Sequence, residues 1–178
     1  MKNRRVDFIV KVGIFSAAAF ILQVIGSVMQ LKVGGFLEVE ISDLPAIIIS
    51  FALGPWAGVL TELIKNILHL TITSTGGVGE LANFIINGTY VFVCGWVYSR
   101  HKTKKNAVVA LVLSVIAMVL MGIVANLYIM LPLFMKNADF AARLKMTLFT
   151  IALFNVCKGS ALAVISMLVY KRVSGYIK

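Results

Sequence analysis

Apolar runs of roughly membrane-crossing length recur along the chain, separated by short polar or charged stretches. A bilayer core of about 30 Å needs roughly 20 helical residues, and helices buried among others can be shorter. By that measure, spans are expected near residues 7–31, 44–53, 56–73, 81–99, 107–131 and 146–170. The pattern predicts an all-α polytopic bundle of six transmembrane helices, with residues 1–178 forming a single transmembrane domain.

The second and third spans are the pair that the pattern alone leaves open, because Leu44 to Leu60 also reads as one continuous apolar run. Gly54-Pro55 interrupts it. Glycine favours a left-handed helix end, and proline biases its predecessor away from helix while suiting the first turn of a new one. A hairpin between two short helices and a simple kink both fit. Charge decides the number of crossings, since basic residues resist translocation. Five crossings would put the basic loop Arg100, Lys102, Lys104, Lys105 outside; six put it inside. With six, Lys2, Arg4, Arg5, Lys11, that loop, Lys171, Arg172 and Lys178 lie in the cytosol. Only Lys32, Lys136, Arg143 and Lys145 then face out, which is eleven against four. Both termini are therefore expected in the cytosol, with the chain a multi-pass protein of the cell membrane.

Composition agrees: 60% of residues are hydrophobic and 13% charged, against about 45–50% apolar and about 25% charged in soluble domains. The formal charge of +10 is spread in short pieces between apolar runs, which fits membrane topology and gives no basic groove for nucleic acid. Cys94 and Cys157 sit inside apolar runs and are expected to be free, buried thiols. The first apolar run exceeds the 7–15 residues of a signal-peptide core and lacks a small-x-small cleavage site, so it is expected to remain as the first span.

Five of the seven acids, Glu38, Glu40, Asp43, Glu80 and Asp139, fall on the expected outer side. The loop Lys32 to Asp43 interleaves apolar and charged residues, which suits a lid. Ser42-Asp43-Leu44-Pro45 reads as a helix start with a capping residue and an early proline. Thr73 to Gly79, rich in glycine and threonine, reads as a tight or mobile connection.

Ionisable groups inside a span are costly, so each is a functional candidate. Glu62, Lys65, Asn66 and His69 share one helical face. One reading is a Glu62–Lys65 ion pair with neighbouring hydrogen bonds; the other is a proton relay between Glu62 and His69. In the last span, Asn155 and Lys158 lie one turn apart on one face, and Lys158 is too deep to reach the interface. It needs a ligand acceptor or an internal acid such as Glu38 or Glu40. Asn126, Asn83 and Asn87 lie toward the outer ends of their spans and converge on a polar pocket open to the outside. Asparagine carries donor and acceptor together, which matches the imide and carbonyl edge of a heterocycle; singly, each also suits helix packing.

No phosphate-binding loop, zinc-protease motif, paired-cysteine metal motif or hydrolase elbow occurs, and Gly76-Gly77-Val78-Gly79 reads as a turn. No metal site, catalytic residue or catalytic cofactor is expected, and an enzyme is the least favoured class. Uphill transport would need an ion gradient or a partner ATPase.

The stretches Phe36-Leu37-Glu38-Val39-Glu40-Ile41-Ser42-Asp43-Leu44-Pro45, Phe51-Ala52-Leu53-Gly54-Pro55, Gly79-Glu80-Leu81-Ala82-Asn83-Phe84 and Phe154-Asn155-Val156-Cys157-Lys158-Gly159 resemble the riboflavin-specific substrate-binding (S) component of energy-coupling factor (ECF) vitamin transporters. The resemblance spans nearly the whole chain. It implies a six-helix protein that binds riboflavin from outside and joins a transmembrane coupling subunit and two cytosolic ATPase subunits. By motif match the flavin contacts would be Asn155, Lys158 and Asn126, with Leu37 and Glu38 from the first loop. Family members dock the coupling subunit through an Ala-x-x-x-Ala pattern on the first helix, because small residues let helices approach closely. Here Gly13-x-x-x-Ala17 stands in that place and departs from the pattern at its first residue. A flavin's apolar body and single hydrogen-bonding edge suit a mostly apolar pocket. Lys158 could also neutralise a phosphate, which makes flavin mononucleotide (FMN) a second ligand. The alternative is a self-sufficient, proton-coupled secondary transporter of a small organic solute, using Glu62 and His69.

Overall fold

The computed structural model describes the backbone of residues 4–29, 32–33, 37–38, 41–73 and 75–173, and side chains within 4–29, 41–73 and 75–170. Six helical segments make up the bundle. They are α1 (Arg4–Met29), α2 (Leu44–Leu53), α3 (Pro55–His69), α4 (Val78–Arg100), α5 (Lys104–Phe134) and α6, which runs from Phe140 to Val173. Between α1 and α2 the backbone forms a minimal antiparallel ladder, β1 (Lys32–Val33) with β2 (Leu37–Glu38).

Four of these helices, α1, α4, α5 and α6, are long and apolar enough to cross a membrane. At about 1.5 Å per residue, α2 and α3 are shorter than a bilayer core, and they act as a pair. Gly54, at φ 99°, sits where only glycine is comfortable, and Pro55 opens α3 directly. The joint is a hairpin, not a kink. A Cβ placed on Gly58 would lie 2.7 Å from Ser50 Cβ and 3.0 Å from the Ala46 carbonyl, so α3 folds straight back on α2. The hairpin tip is wedged against α4, where a Cβ on Gly95 would meet the Cα and N of Pro55 at 2.8 Å and the Ser50 carbonyl at 3.1 Å. These are backbone atoms that cannot swing aside. Gly95→Ala should therefore destabilise the protein by roughly 1–3 kcal/mol, read as a lowered melting temperature in detergent. Gly88→Ala, whose Cβ would meet the Phe84 ring at an ordinary 3.5 Å, should leave it nearly unchanged.

Two helix ends differ from the sequence expectation. Helix α5 continues past residue 131 through a π-helical turn, Asn126–Met130, into Leu131–Phe134. Helix α6 begins at Phe140, before residue 146, and passes through a second π turn, Thr147–Ile151. The charges that made residues 136–145 look like loop are those that fix the helix start. Asp139 accepts from the Ala142 N–H at 2.8 Å, and Arg143 donates to the carbonyls of Met135 and Lys136.

Polarity is distributed inside-out. Large apolar side chains such as Val28, Leu120 and Leu168 are more than half exposed on the outer faces, while Glu62, Lys65, Thr61 and Ser114 are fully buried. That arrangement is stable only where the outer solvent is apolar. Both cysteines are free, as expected, but only Cys94 is buried. Cys157 is exposed on the outward side of α6, because its neighbour Asn155 takes the inward position. At the far end from the α3–α4 loop, Phe51, Tyr98 and Tyr170 form an edge-packed aromatic cluster in which the two tyrosine hydroxyls hydrogen-bond.

Candidate ligand pocket

A cavity of about 270 Å³ opens between two walls, one formed by α1, the end of α3 and the start of α4, the other by α5 and α6. Ile72, Ala82, Ile86, Met130 and Phe154 give it an apolar part, but most of its lining side chains are polar, unlike the mostly apolar pocket expected from the sequence. Five residues anticipated from sequence meet there: Asn83, Asn87, Asn126, Asn155 and Lys158. Asn87 is buried there.

On the α5–α6 wall, Asn126 opens the π turn and donates its amide to the Gly122 carbonyl at 2.8 Å. Gly122 has no side chain where the Asn155 amide packs. Asn155 is only 4% exposed, and its Nδ2 has no hydrogen-bond partner among the described residues. A buried donor left unsatisfied is costly, so it marks a place where something else can bind. π turns recur at functional sites, and this one carries both Asn126 and Met130 to the cavity.

On the opposite wall, which also carries Asn83 and Asn87, the contribution of α1 was not anticipated. Gln23 of α1 is 3% exposed, lines the cavity, and its Oε1 has no partner among the described residues. One turn on, the Ser27 hydroxyl lies 3.2 Å from His69 Nε2, while His69 Nδ1 lies 2.8 Å from the Glu80 carboxylate. Thr75 donates to the other Glu80 oxygen at 2.8 Å and accepts from the Gly79 N–H, which fixes the start of α4. In sequence, Gln23 is a lone amide in a long apolar helix, and nothing in its spacing sets it apart from helix-packing polar residues.

Beneath the cavity four charged side chains are linked among the described residues. Asp43 Oδ1 is 2.5 Å from Lys65 Nζ and Asp43 Oδ2 is 2.9 Å from Lys158 Nζ, while Lys65 also pairs with Glu62 at 2.7 Å. The side chains of Asp43, Glu62 and Lys65 are at most 1% exposed. One expectation is corrected here. Asp43 makes no side-chain cap to α2; its carboxylate is drawn to two lysines, because a paired buried charge is far less costly than an unpaired one. Among the described residues the internal acid that pairs with Lys158 is Asp43; the side chains of Glu38 and Glu40 lie outside them. The Glu62–Lys65 pair is present, while His69 bonds Ser27 and Glu80 and makes no bond to Glu62. The side chains of Leu37 and Glu38 lie outside the described residues. Gly13 and Ala17 are exposed on α1, and a Cβ at Gly13 would meet nothing within 4 Å.

Residues 7–170 match the family model of the ECF transporter substrate-specific component. The chain belongs to that family. A substrate-specific component is part of a transporter, not an enzyme class, and the four apolar helices agree with a multi-pass membrane protein. The component is 27% identical to the riboflavin transporter RibU of Staphylococcus aureus (strain TCH60), over 99% of this chain and 94% of that protein. It is 28% identical to the riboflavin transporter FmnP of Bacillus subtilis (strain 168), over 98% and 95%. Its fold is that of a solved S component of a bacterial ECF transporter, with a TM-score of 0.82, 23% identity and coverage of 98% of this chain and 99% of that one.

Proposed function

We propose that this substrate-specific component captures riboflavin from outside the cell membrane, with both of its ends in the cytosol. It hands the ligand on through a transmembrane coupling subunit driven by two cytosolic ATPase subunits. The observation that carries the ligand assignment is the wall on which Asn126, Asn155 and Lys158 stand beside the apolar side chains of Met130 and Phe154. An unpartnered amide beside an ammonium matches the carbonyl-and-imide edge of an isoalloxazine ring, and the apolar lining matches its body. Two relatives aligned over nearly the full chain are riboflavin transporters, which supports the same ligand. Leu37 and Glu38, at the strand that precedes α2, are proposed to close over it. The exposed Gly13-x-x-x-Ala17 face of α1 is proposed to dock the coupling subunit, because it offers a flat surface for close helix approach.

Riboflavin fluorescence should be quenched on titration with the purified, detergent-solubilised protein, saturating below micromolar flavin. An unchanged emission at micromolar concentrations of both would remove the ligand assignment. The proton-coupled alternative has no structural support in a Glu62–His69 relay, since each of these residues is bonded elsewhere.

A further inference from the structure

The wall that faces Asn126, Asn155 and Lys158 is also polar, and most of its groups are engaged with one another. His69 is bonded to Ser27 and Glu80, and Thr75 donates to the other Glu80 oxygen. Gln23 stands apart from that network. It follows Val12, Ser16 and Ala19 on the buried face of α1. Ser16, the other buried polar residue of that helix, donates its hydroxyl to the Val12 carbonyl at 2.8 Å. Gln23 is only 3% exposed, lines the cavity, and leaves its Oε1 without a hydrogen bond among the described residues. A buried acceptor in that state marks a place for a donor from outside the chain.

We propose that Gln23 is a ligand contact that binds a hydroxyl of the flavin's polyol chain. The inference rests on the riboflavin reading, and it assigns the wall which that reading leaves unused. The ring has one hydrogen-bonding edge, and Asn126, Asn155 and Lys158 take it on the α5–α6 wall. The remaining polar part of the ligand is the ribityl chain, whose hydroxyls each donate and accept. An unpartnered carbonyl needs a donor, which a hydroxyl supplies. Gln23 therefore reads the chain and not the ring, and a flavin without the chain leaves it as unpaired as the empty site does. The contact also brings the ligand to the buried face of the helix whose opposite face exposes Gly13 and Ala17.

The test compares riboflavin with lumiflavin, the same ring carrying a methyl group in place of the chain. Both are titrated by fluorescence against wild-type protein and Gln23→Met, which keeps the length of the side chain and removes its amide. Gln23→Met should weaken riboflavin by about tenfold and leave lumiflavin unchanged. The melting temperature of the ligand-free variant should be unchanged or raised, since an unmet acceptor has gone. Where lumiflavin binds too weakly to titrate, the tenfold loss of riboflavin together with an undiminished melting temperature supports the inference, and any other result overturns it. An unmoved riboflavin affinity overturns the inference and leaves riboflavin capture standing. Loss of both flavins in step, a lowered melting temperature or a variant that is not monodisperse makes Gln23 a packing residue and overturns it as well. Wild type that binds neither flavin overturns both readings together.

Discussion

Lys65→Met is expected to destabilise the protein by about 3–5 kcal/mol, because it removes one partner from a fully buried ion pair and leaves the other charge uncompensated. Lys65 and Glu62 are both fully buried, and the Lys65 ammonium also anchors Asp43. Without it, Glu62 has no cation beside it, and α2, α3 and α6 lose the charge that links them. The measurement is thermal unfolding of the detergent-solubilised protein, followed by tryptophan emission or by loss of the monodisperse peak. A second variant separates charge from shape. In Glu62→Met with Lys65→Met, both members of the pair are replaced by apolar groups of similar volume, and most of the lost stability should return. If the double variant is as unstable as Lys65→Met alone, the pair matters for its packing and not for its charge balance.

The charge set also shows how far the sequence could be read. Helical spacing put Glu62, Lys65, Asn66 and His69 on one face, and that face is the one turned inward, with Ile67 and Trp56 exposed on the other. Spacing alone could not show which acid neutralises Lys158, because Asp43 and Lys158 are 115 positions apart (158 − 43). Local pattern even misdirected the reading of Asp43. Before Leu44-Pro45 an aspartate has the look of a helix cap, but a cap is worth about 1 kcal/mol, and two buried ammonium groups outweigh it.

The hairpin was legible for a different reason. Gly54-Pro55 is a strong local stop, and the basic loop at residues 100–105 demanded an even number of crossings, so two weak signals pointed to one break. What the sequence left open was hairpin against kink, and that is decided by contacts it does not contain: Gly58 under Ser50 and Gly95 under Pro55. Both π turns escaped for a related reason. Such a turn changes the hydrogen-bond register by one residue without changing composition, so Asn126 and Thr147 sit in runs that read as ordinary helix or as loop. Gln23 is the largest omission from the site. A single amide in an apolar helix carries no periodic signal, and only its burial beside a cavity with an unpartnered oxygen gives it meaning.

Asn155→Ala is expected to weaken riboflavin binding by about 10- to 100-fold, the loss of a buried hydrogen bond to a ligand edge, or roughly 1.5–3 kcal/mol. The same substitution should leave the melting temperature unchanged or raise it, and this combination is what separates a ligand contact from helix packing. A packing asparagine is satisfied by its neighbours, so its removal costs stability and spares binding. Asn155 has a buried amide nitrogen with no partner among the described residues, so its removal relieves an unmet donor in the ligand-free protein. The imide edge of the ring presents a donor and acceptors together, so the amide can meet it with either end. Asn155→Asp preserves the shape while replacing the amide donor with an anion and should bind at least as weakly as Asn155→Ala. Equal affinities in all three proteins, with a lowered melting temperature in the alanine variant, would make Asn155 a packing residue and move the flavin edge toward Asn126 and Asn87.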